Sequence, residues 1–325
     1  MVAVSAPGDA DALVVCEKEK PAPAAGEVLI RVVASGINRA DILQRQGFYP
    51  APPGAPEWPG LEVSGRIEAV GSGVQRWQRG DLVCTLLAGG GYAEYVCAPA
   101  SSCLPIPDAI NPVEAAALPE TVLTVWSNLM DRAAVAAGDR VLIHGGSSGI
   151  STTGIQMLTA YGCEVYATAG SAAKVAACES LGARRCINYR EQDFVTELLA
   201  CTDGYGMDVI LDMVGGDYIN RNIELAAEDG RIVNIAYQAG FQVEVNFLPV
   251  MLKRLVLTGS TLRARDHAFK ASLTKSVRER VWPWLVSGQL RPVVHASFPP
   301  EQASDAHRMM EAGEHIGKLL LVWEP

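Results

Sequence analysis

The rhythm of apolar positions along this chain changes once, near residue 111. Before that point apolar and polar residues alternate as they do on half-buried strands. Glu27 to Ala34 (EVLIRVVA), Gly65 to Val70, Asp81 to Leu87 and Gly90 to Ala98 are the predicted strands of a barrel-like or sandwich-like part. Between the first two lies Arg45 to Gly60, RQGFYPAPPGAPEWPG, whose five prolines fix φ and remove backbone donors. Neither helix nor central strand can form there, and an irregular loop is expected.

After Asn111 the pattern becomes an alternation of strands and helices. Pro112 to Leu118 and Val122 to Ala133 are predicted helices. A strand at Val141 to His144, a helix at Thr152 to Tyr161, a strand at Glu164 to Thr168 and a helix at Ala172 to Leu181 follow. Then come a strand at Cys186 to Asn188, a helix at Glu191 to Cys201, a strand at Met207 to Met213 and a helix at Tyr218 to Ala226. Arg231 to Ala236 and Leu255 to Ser260 are two more strands. Six strands with interposed helices imply a doubly wound parallel sheet in an α/β protein. Beyond it the pattern predicts a long helix at Asp266 to Gly288, a strand at Val293 to Phe298, a helix at Pro300 to Glu311 and a last strand at Lys318 to Trp323.

The strand at 141–144 runs into Gly145-Gly146-Ser147-Ser148-Gly149-Ile150-Ser151 and then into a helix. Such a turn lets backbone N–H groups and the positive end of a helix approach a pyrophosphate. About 140 residues precede it, so another domain comes first. The length of 325 residues and the 49% hydrophobic content fit roughly two domains.

Charge and cysteine usage narrow the setting. A net charge of −9 without a basic run argues against a nucleic-acid or anionic-membrane partner. No stretch approaches the roughly 20 apolar residues of a membrane span, and the first residues, with Asp9 and Asp11, lack the positive run of a signal peptide. A cytoplasmic location is expected. The eight cysteines are scattered without a C-x-x-C pair or metal-ligand rhythm, so reduced thiols and no metal site are expected.

Three chemistries compete for the turn. Gly145-Gly146-Ser147-Ser148-Gly149 matches G-x-S-x-G, the nucleophile elbow of a serine hydrolase acting through Ser147. Asp212 and one of His267, His295, His307 or His315 would complete its triad, although none of these histidines falls on a turn. The short-chain reductase pattern would need a tyrosine with lysine four residues on, and no tyrosine here has one. Dinucleotide binding is the third. The strand after the turn ends Thr168-Ala169-Gly170-Ser171, with Lys174 beyond, where NAD-specific folds place a carboxylate for the ribose hydroxyls. A hydroxyl, open backbone and an ammonium group suit the 2′-phosphate of NADPH instead.

Taken together, Gly36-Ile37-Asn38-Arg39-Ala40-Asp41, Gly47 to Pro50, Gly60 to Gly65, Gly80-Asp81, the turn at 145–151, Leu181-Gly182-Ala183, Asn188-Tyr189-Arg190 and Ile316-Gly317-Lys318 make the chain resemble the zinc-independent medium-chain dehydrogenases/reductases. The resemblance spans nearly the whole chain. It is strongest to the NADPH quinone oxidoreductases of the tumour-suppressor-inducible type, through Arg45 to Tyr49. The resemblance implies a GroES-like, β-rich catalytic domain at 1–122 completed by 263–325, and a Rossmann domain at 123–262. It also implies a homodimer or homotetramer. Zinc-dependent relatives place a cysteine near Asn38, a histidine near Leu61 and a four-cysteine lobe after the barrel strands, all of which this sequence lacks.

The family chemistry implied is hydride transfer from NADPH to a quinone or an activated C=C bond. By position, Tyr49 and Ser148 match a tyrosine and serine of the quinone site, and Asn38 an asparagine facing the nicotinamide. These three are the expected catalytic residues, acting as hydrogen-bond donors. Ser171, Lys174 and Tyr189, next to Gly170, match residues around the adenosine phosphate. The turn residues Gly146, Ser147, Ser148, Gly149 and Ile150, with Thr124, Gly215, Leu262 and Lys318, are the remaining expected cofactor contacts. Two further readings remain: an enone or enoyl-thioester reductase of a biosynthetic pathway, and a protein that binds NADPH without turnover. One departure lies in the turn, where Ser151 stands in place of the family's second glycine and Gly154 in place of a common alanine. Altered NADPH affinity is the expectation from Ser151.

Overall fold

A computed structural model describes residues 1–323 of the chain. They form two compact units, one of Met1–Leu123 together with the segment from Leu262 onward, the other of Thr124–Thr261.

The first unit opens with a two-stranded antiparallel ribbon, β1 (Val2–Val4) and β2 (Leu13–Val15). The long strand β3 (Glu27–Ile37) leads into helix α1 (Arg39–Arg45), and β4 (Glu62–Val70), β5 (Leu82–Leu86), β6 (Tyr95–Pro99) and β7 (Cys103–Pro105) follow. Helix α2 (Pro112–Ala115) and helix α3 (Pro119–Val125) end the segment.

The second unit alternates strand and helix. In chain order these are β8 (Arg140–Ile143), α4 (Gly149–Tyr161), β9 (Glu164–Ala169), α5 (Ala172–Ser180), β10 (Arg185–Asn188), α6 (Phe194–Cys201), β11 (Met207–Asp212), α7 (Tyr218–Leu225), β12 (Ala226–Asn234), α8 (Leu248–Leu252) and β13 (Val256–Gly259). The chain then returns to the first unit as α9 (His267–Arg280), α10 (Trp282–Ser287), β14 (Val294–Phe298), α11 (Ala303–Ala312) and β15 (Lys318–Val322).

All five pairings in the second unit are parallel, in the order β10-β9-β8-β11-β12-β13. The chain reverses its winding between β8 and β11, the arrangement of a dinucleotide-binding sheet. Apolar runs on β8, β9 and β11 pack with Phe194, Leu198 and Ile223 into one core. Both faces of such a sheet are covered, which is why these strands read as continuous apolar runs rather than alternations.

In the first unit the order is β14-β15-β3-β4-β5-β7, with β6 also on β3. Strand β3 is long enough to pair with β6 over Glu27–Arg31 and with β15 over Ala34–Ile37. Strand β15 is thereby built into the sheet that β3 begins.

Several elements differ from the sequence expectation. Helix α1 was not anticipated; a capping box between Asn38 and Asp41 starts it inside an otherwise β-rich stretch. The single helix expected at 266–288 is two, because the ring of Pro283 cannot continue α9 and instead opens α10. The strand expected from Gly90 begins only at Tyr95, after Gly89 and Gly90 adopt positive φ. The helix expected at 122–133 is α3 followed by a π-helical stretch, Trp126–Arg132. Strand β12 starts five residues earlier than its apolar run, at Ala226. Among the described residues no helix is long and apolar enough to cross a membrane.

A buried polar chain braces the first unit. Arg45, 1% exposed, donates to the backbone oxygen of Gly8, to Glu311 and, at 3.4 Å, to Nδ1 of His307. An arginine only donates, so Nδ1 accepts and Nε2 carries the proton toward the Tyr92 hydroxyl at 3.1 Å. Burial, and then the Arg45 charge, hold the His307 pKa down to about 3. A histidine kept neutral this way contributes stability above its ordinary titration range and loses it as pH falls below about 6.5, by about 1.4 kcal/mol per pH unit. His307→Gln keeps one acceptor and one donor but does not titrate. Its urea midpoints between pH 6.5 and 4 should fall less steeply than those of the wild type, and equal slopes would reject this account.

Candidate functional site

The turn at 145–151 is shaped by close packing. Gly146 donates to the backbone oxygen of Thr168 at 2.7 Å, and a Cβ there would lie 2.7 Å from Sγ of Cys178 and 3.0 Å from Cβ of Ala167. Gly145 has φ +65°, and Met213 packs against it. Ser148 is the N-cap of α4, its hydroxyl accepting from the Ser151 N–H at 3.2 Å. The same hydroxyl donates to Oγ of Ser151 at 2.9 Å, and Ser151 in turn donates to the backbone oxygen of His144 at 3.2 Å. Ser151 is fully buried and finishes the hydrogen bonding at the end of β8. Gly154 has a packing reason of its own, since a Cβ would come within 3.0 Å of Cδ1 of Ile143.

Behind the turn, Thr168, His144, Asn222 and Asp212 form one chain of hydrogen bonds. Asn222 donates to Asp212 at 3.1 Å, so its oxygen accepts from Nε2 of His144 at 2.7 Å, and Nδ1 accepts from the Thr168 hydroxyl at 2.9 Å. Burial keeps this histidine neutral by lowering its pKa. Asp212 also accepts from Asn234 and from the backbone of Val214 and Gly215. None of its hydrogen bonds comes from a histidine, and none of the described residues hydrogen-bonds the Ser147 hydroxyl. The serine-hydrolase triad is therefore not assembled.

At the end of β9, Ser171 caps α5 by accepting from the Lys174 N–H at 3.4 Å. A Cβ on Gly170 would lie 2.6 Å from the Tyr189 hydroxyl and 3.4 Å from Nε of Arg190. Tyr189 and Arg190 thus pack against Gly170, next to Ser171, and Lys174 lies in the first turn of α5. Arg190 was not among the expected contacts; its place one residue beyond Tyr189 was the available signal. Gly149 and Ile150 begin α4, Gly215 follows β11 with φ +67°, and Thr124 is buried at the start of this unit.

In the first unit, Nζ of Lys318 donates to the backbone oxygen of Ile37 at 2.7 Å and to Oδ1 of Asn38 at 2.6 Å, and it forms an ion pair with Oε1 of Glu62 at 2.6 Å. Asn38 spends its amide on Glu62 at 2.9 Å and on the oxygen of Gly36 at 3.4 Å. Glu62, 0% exposed, also accepts the Glu120 N–H at 2.8 Å. A Cβ at Gly36 would collide with this carboxylate, so only glycine fits there. Asn38 was expected as a hydrogen-bond donor and Lys318 as a cofactor contact; in the structure both side chains hydrogen-bond inside the unit. Asp41 accepts from the N–H of Asn38 and of Gly60, and burial pushes its pKa up to about 6 against those two bonds. Leu262 is buried.

Tyr49 stands apart from this pattern. It is partly exposed, its backbone oxygen accepts from Arg263 at 3.1 Å, and its hydroxyl bonds to none of the described residues. Burial raises its pKa, with Arg263 opposing, and the phenol keeps its proton at neutral pH.

Residues 24–108 match the model of the alcohol dehydrogenase GroES-like domain, and residues 149–278 that of the zinc-binding dehydrogenases. The human quinone oxidoreductase is 30% identical over 308 residues, covering 93% of this chain and 91% of that protein. The chain belongs to the quinone oxidoreductase family of zinc-independent medium-chain dehydrogenases/reductases.

A second relative of this medium-chain reductase, the mycocerosic acid synthase-like polyketide synthase of Mycobacterium tuberculosis, is 30% identical over 319 residues. The alignment takes in 98% of the chain but spans only 15% of that synthase. Among solved structures, the Escherichia coli quinone oxidoreductase complexed with NADPH has a TM-score of 0.89 at 28% identity, covering 99% of each chain. The CurK enoyl reductase has a TM-score of 0.87 at 30% identity, covering 100% of this chain and 98% of that one. Despite the name of the second family model, no group of three or more His, Cys, Asp or Glu among the described residues is placed to hold a metal ion.

The Lys318–Glu62 pair generates a prediction. Removing one partner leaves a buried charge uncompensated, at a cost of about 3–5 kcal/mol. Lys318→Met should lower the urea-unfolding free energy by that order, and adding Glu62→Gln should recover part of it. A single variant as stable as the wild type would show that the pair contributes little.

Proposed function

We propose that this reductase uses NADPH to reduce quinones or similarly electron-poor acceptors. The observation that carries the reading is the end of β9, where Tyr189 and Arg190 pack against Gly170 and the next residue is Ser171 rather than a carboxylate, with Lys174 in the first turn of α5. Two cationic side chains and two hydroxyls suit a dianionic 2′-phosphate, which a carboxylate would repel. The glycine-lined turn and the start of α4 suit the pyrophosphate, with Gly146, Ser147, Gly149 and Ile150 along it. When bound, NADPH supplies the hydride, and a proton from solvent or a side chain completes the reduced acceptor.

The protein's own share is binding, orientation and polarity. Tyr49, protonated and with an uncommitted hydroxyl, donates a hydrogen bond to the acceptor oxygen on which negative charge grows. Asn38, held by Lys318 and Glu62, keeps a fixed amide plane at the end of β3. Ser148 sets the start of α4 through Ser151. The polyketide synthase and enoyl reductase relatives favour a second acceptor class, an enoyl thioester, for the same hydride chemistry.

Purified protein should oxidise NADPH steadily with 1,2-naphthoquinone and should favour NADPH over NADH. Lys174→Ala should raise the KM for NADPH about tenfold, leave that for NADH within about twofold and so narrow the preference. A crotonyl thioester assayed alongside separates the two acceptor classes. Absence of turnover with either would sink the reading.

We also propose that the protein assembles as a homodimer through β13. This strand is an edge of the six-stranded sheet, and Phe247, Met251, Leu252 and Val256 around it are 64%, 68%, 63% and 51% exposed. An apolar edge of this kind is a ready partner for a second copy. Sedimentation should give a dimer, or a tetramer built from such dimers, and Leu252→Glu should give monomers. A monomeric wild type would overturn the assignment.

A further inference from the structure

Arg263 is a buried cation whose hydrogen bonds all go to uncharged groups. Its side chain donates through Nε to the oxygen of Ala88 at 2.7 Å, through NH1 to the oxygen of Tyr49 at 3.1 Å and through NH2 to Oε1 of Gln44 at 2.7 Å. The guanidinium carbon lies 5.1 Å from the centre of the Tyr49 ring. Gln44 extends the tie, its amide donating to the oxygen of Glu57 at 2.6 Å. The backbone of Arg263 is itself fixed, since Nζ of Lys270 donates to its oxygen at 2.7 Å.

These contacts converge on the segment with least structure of its own. Residues 46–60 contain five prolines and no strand or helix, so sheet hydrogen bonds cannot place Tyr49. On its N-terminal side the Tyr49 N–H reaches the oxygen of Leu43 at 3.2 Å; on its C-terminal side the carbonyl is held by Arg263. A planar fork with donors in three directions joins α1, the proline loop and the 87–91 loop at once. An ammonium group is a point donor and cannot reproduce that spread.

We infer that Arg263 is the positioning residue for Tyr49: it fixes the backbone and one face of the ring so that the hydroxyl presents itself in a single orientation. This rests on the reading of Tyr49 as the donor to the acceptor. Arg263 touches no reacting atom in this assignment and acts through the tyrosine. Misplacement of a donor by about 1 Å can cost a hundredfold in rate, so partial loosening of the clamp should cost about tenfold.

The experiment is a double-mutant cycle on the full-length protein with naphthoquinone, joined to hydrogen exchange over residues 46–58. Arg263→Lys should lower kcat about tenfold and leave the NADPH dissociation constant, followed by fluorescence, within about twofold. In a Tyr49→Phe background the same substitution should change kcat by less than about twofold. Exchange over 46–58 should quicken in Arg263→Lys and, to a smaller extent, in Gln44→Met, which removes one tie and keeps the guanidinium. A tenfold loss that persists in Tyr49→Phe would overturn the proposal, as would unchanged exchange in both variants. Faster exchange in a protein that turns over no quinone would support the clamp and count against the functional reading alone.

Discussion

The buried pair of Lys318 and Glu62 is the constraint on which the first unit turns. One ammonium group meets three oxygens: it donates to the end of β3 and to Asn38 and forms an ion pair with Glu62 on β4. Nearly every polar atom in this cluster has a partner, which is the condition under which a buried ion pair can be carried at all. The pair joins residue 318 to residues 37, 38 and 62, so it ties β15 to β3 and β4 across the length of the sequence. Gly36 belongs to the same arrangement, because the carboxylate occupies the space a side chain would need.

The second unit solves a different problem. Its turn must leave backbone N–H groups facing outward and still satisfy the end of β8. Ser151 does the second task by donating to the His144 carbonyl and receiving the Ser148 proton. The side chain that looked like an intrusion into a glycine motif is directed inward, toward the strand, and Gly154 one turn later makes room for Ile143. His144, Asn222 and Asp212 then hold β8, α7 and β11 together below the turn. A neutral histidine between a hydroxyl and an amide braces this structure, and its ring nitrogens are committed.

Across both units most of these polar groups are already spent. Asn38, Lys318, Ser148 and Asp212 are spent on the fold, whereas the Tyr49 hydroxyl bonds to none of the described residues. Family position alone would weight these residues alike. The distinction follows from counting donors and acceptors: a fully occupied side chain can orient its neighbours but has no hydrogen bond left to give.

The sequence by itself determined the parallel sheet, the glycine turn and the missing carboxylate after β9, because each is a local pattern whose physics lies within a few residues. Continuous apolar runs require a sheet covered on both faces, and small residues before a helix permit close approach of backbone. It also carried the family, through motifs spread over nearly the whole chain. It did not reveal helix α1, the break at Pro283 as two packed helices, or the late start of β6, where short caps and turns override the apolar rhythm. Only the tertiary structure decided what Lys318, Asn38, His307 and Arg263 do. Their partners include groups up to 281 residues away in sequence, and a side chain's role is set by which distant groups use up its hydrogen bonds.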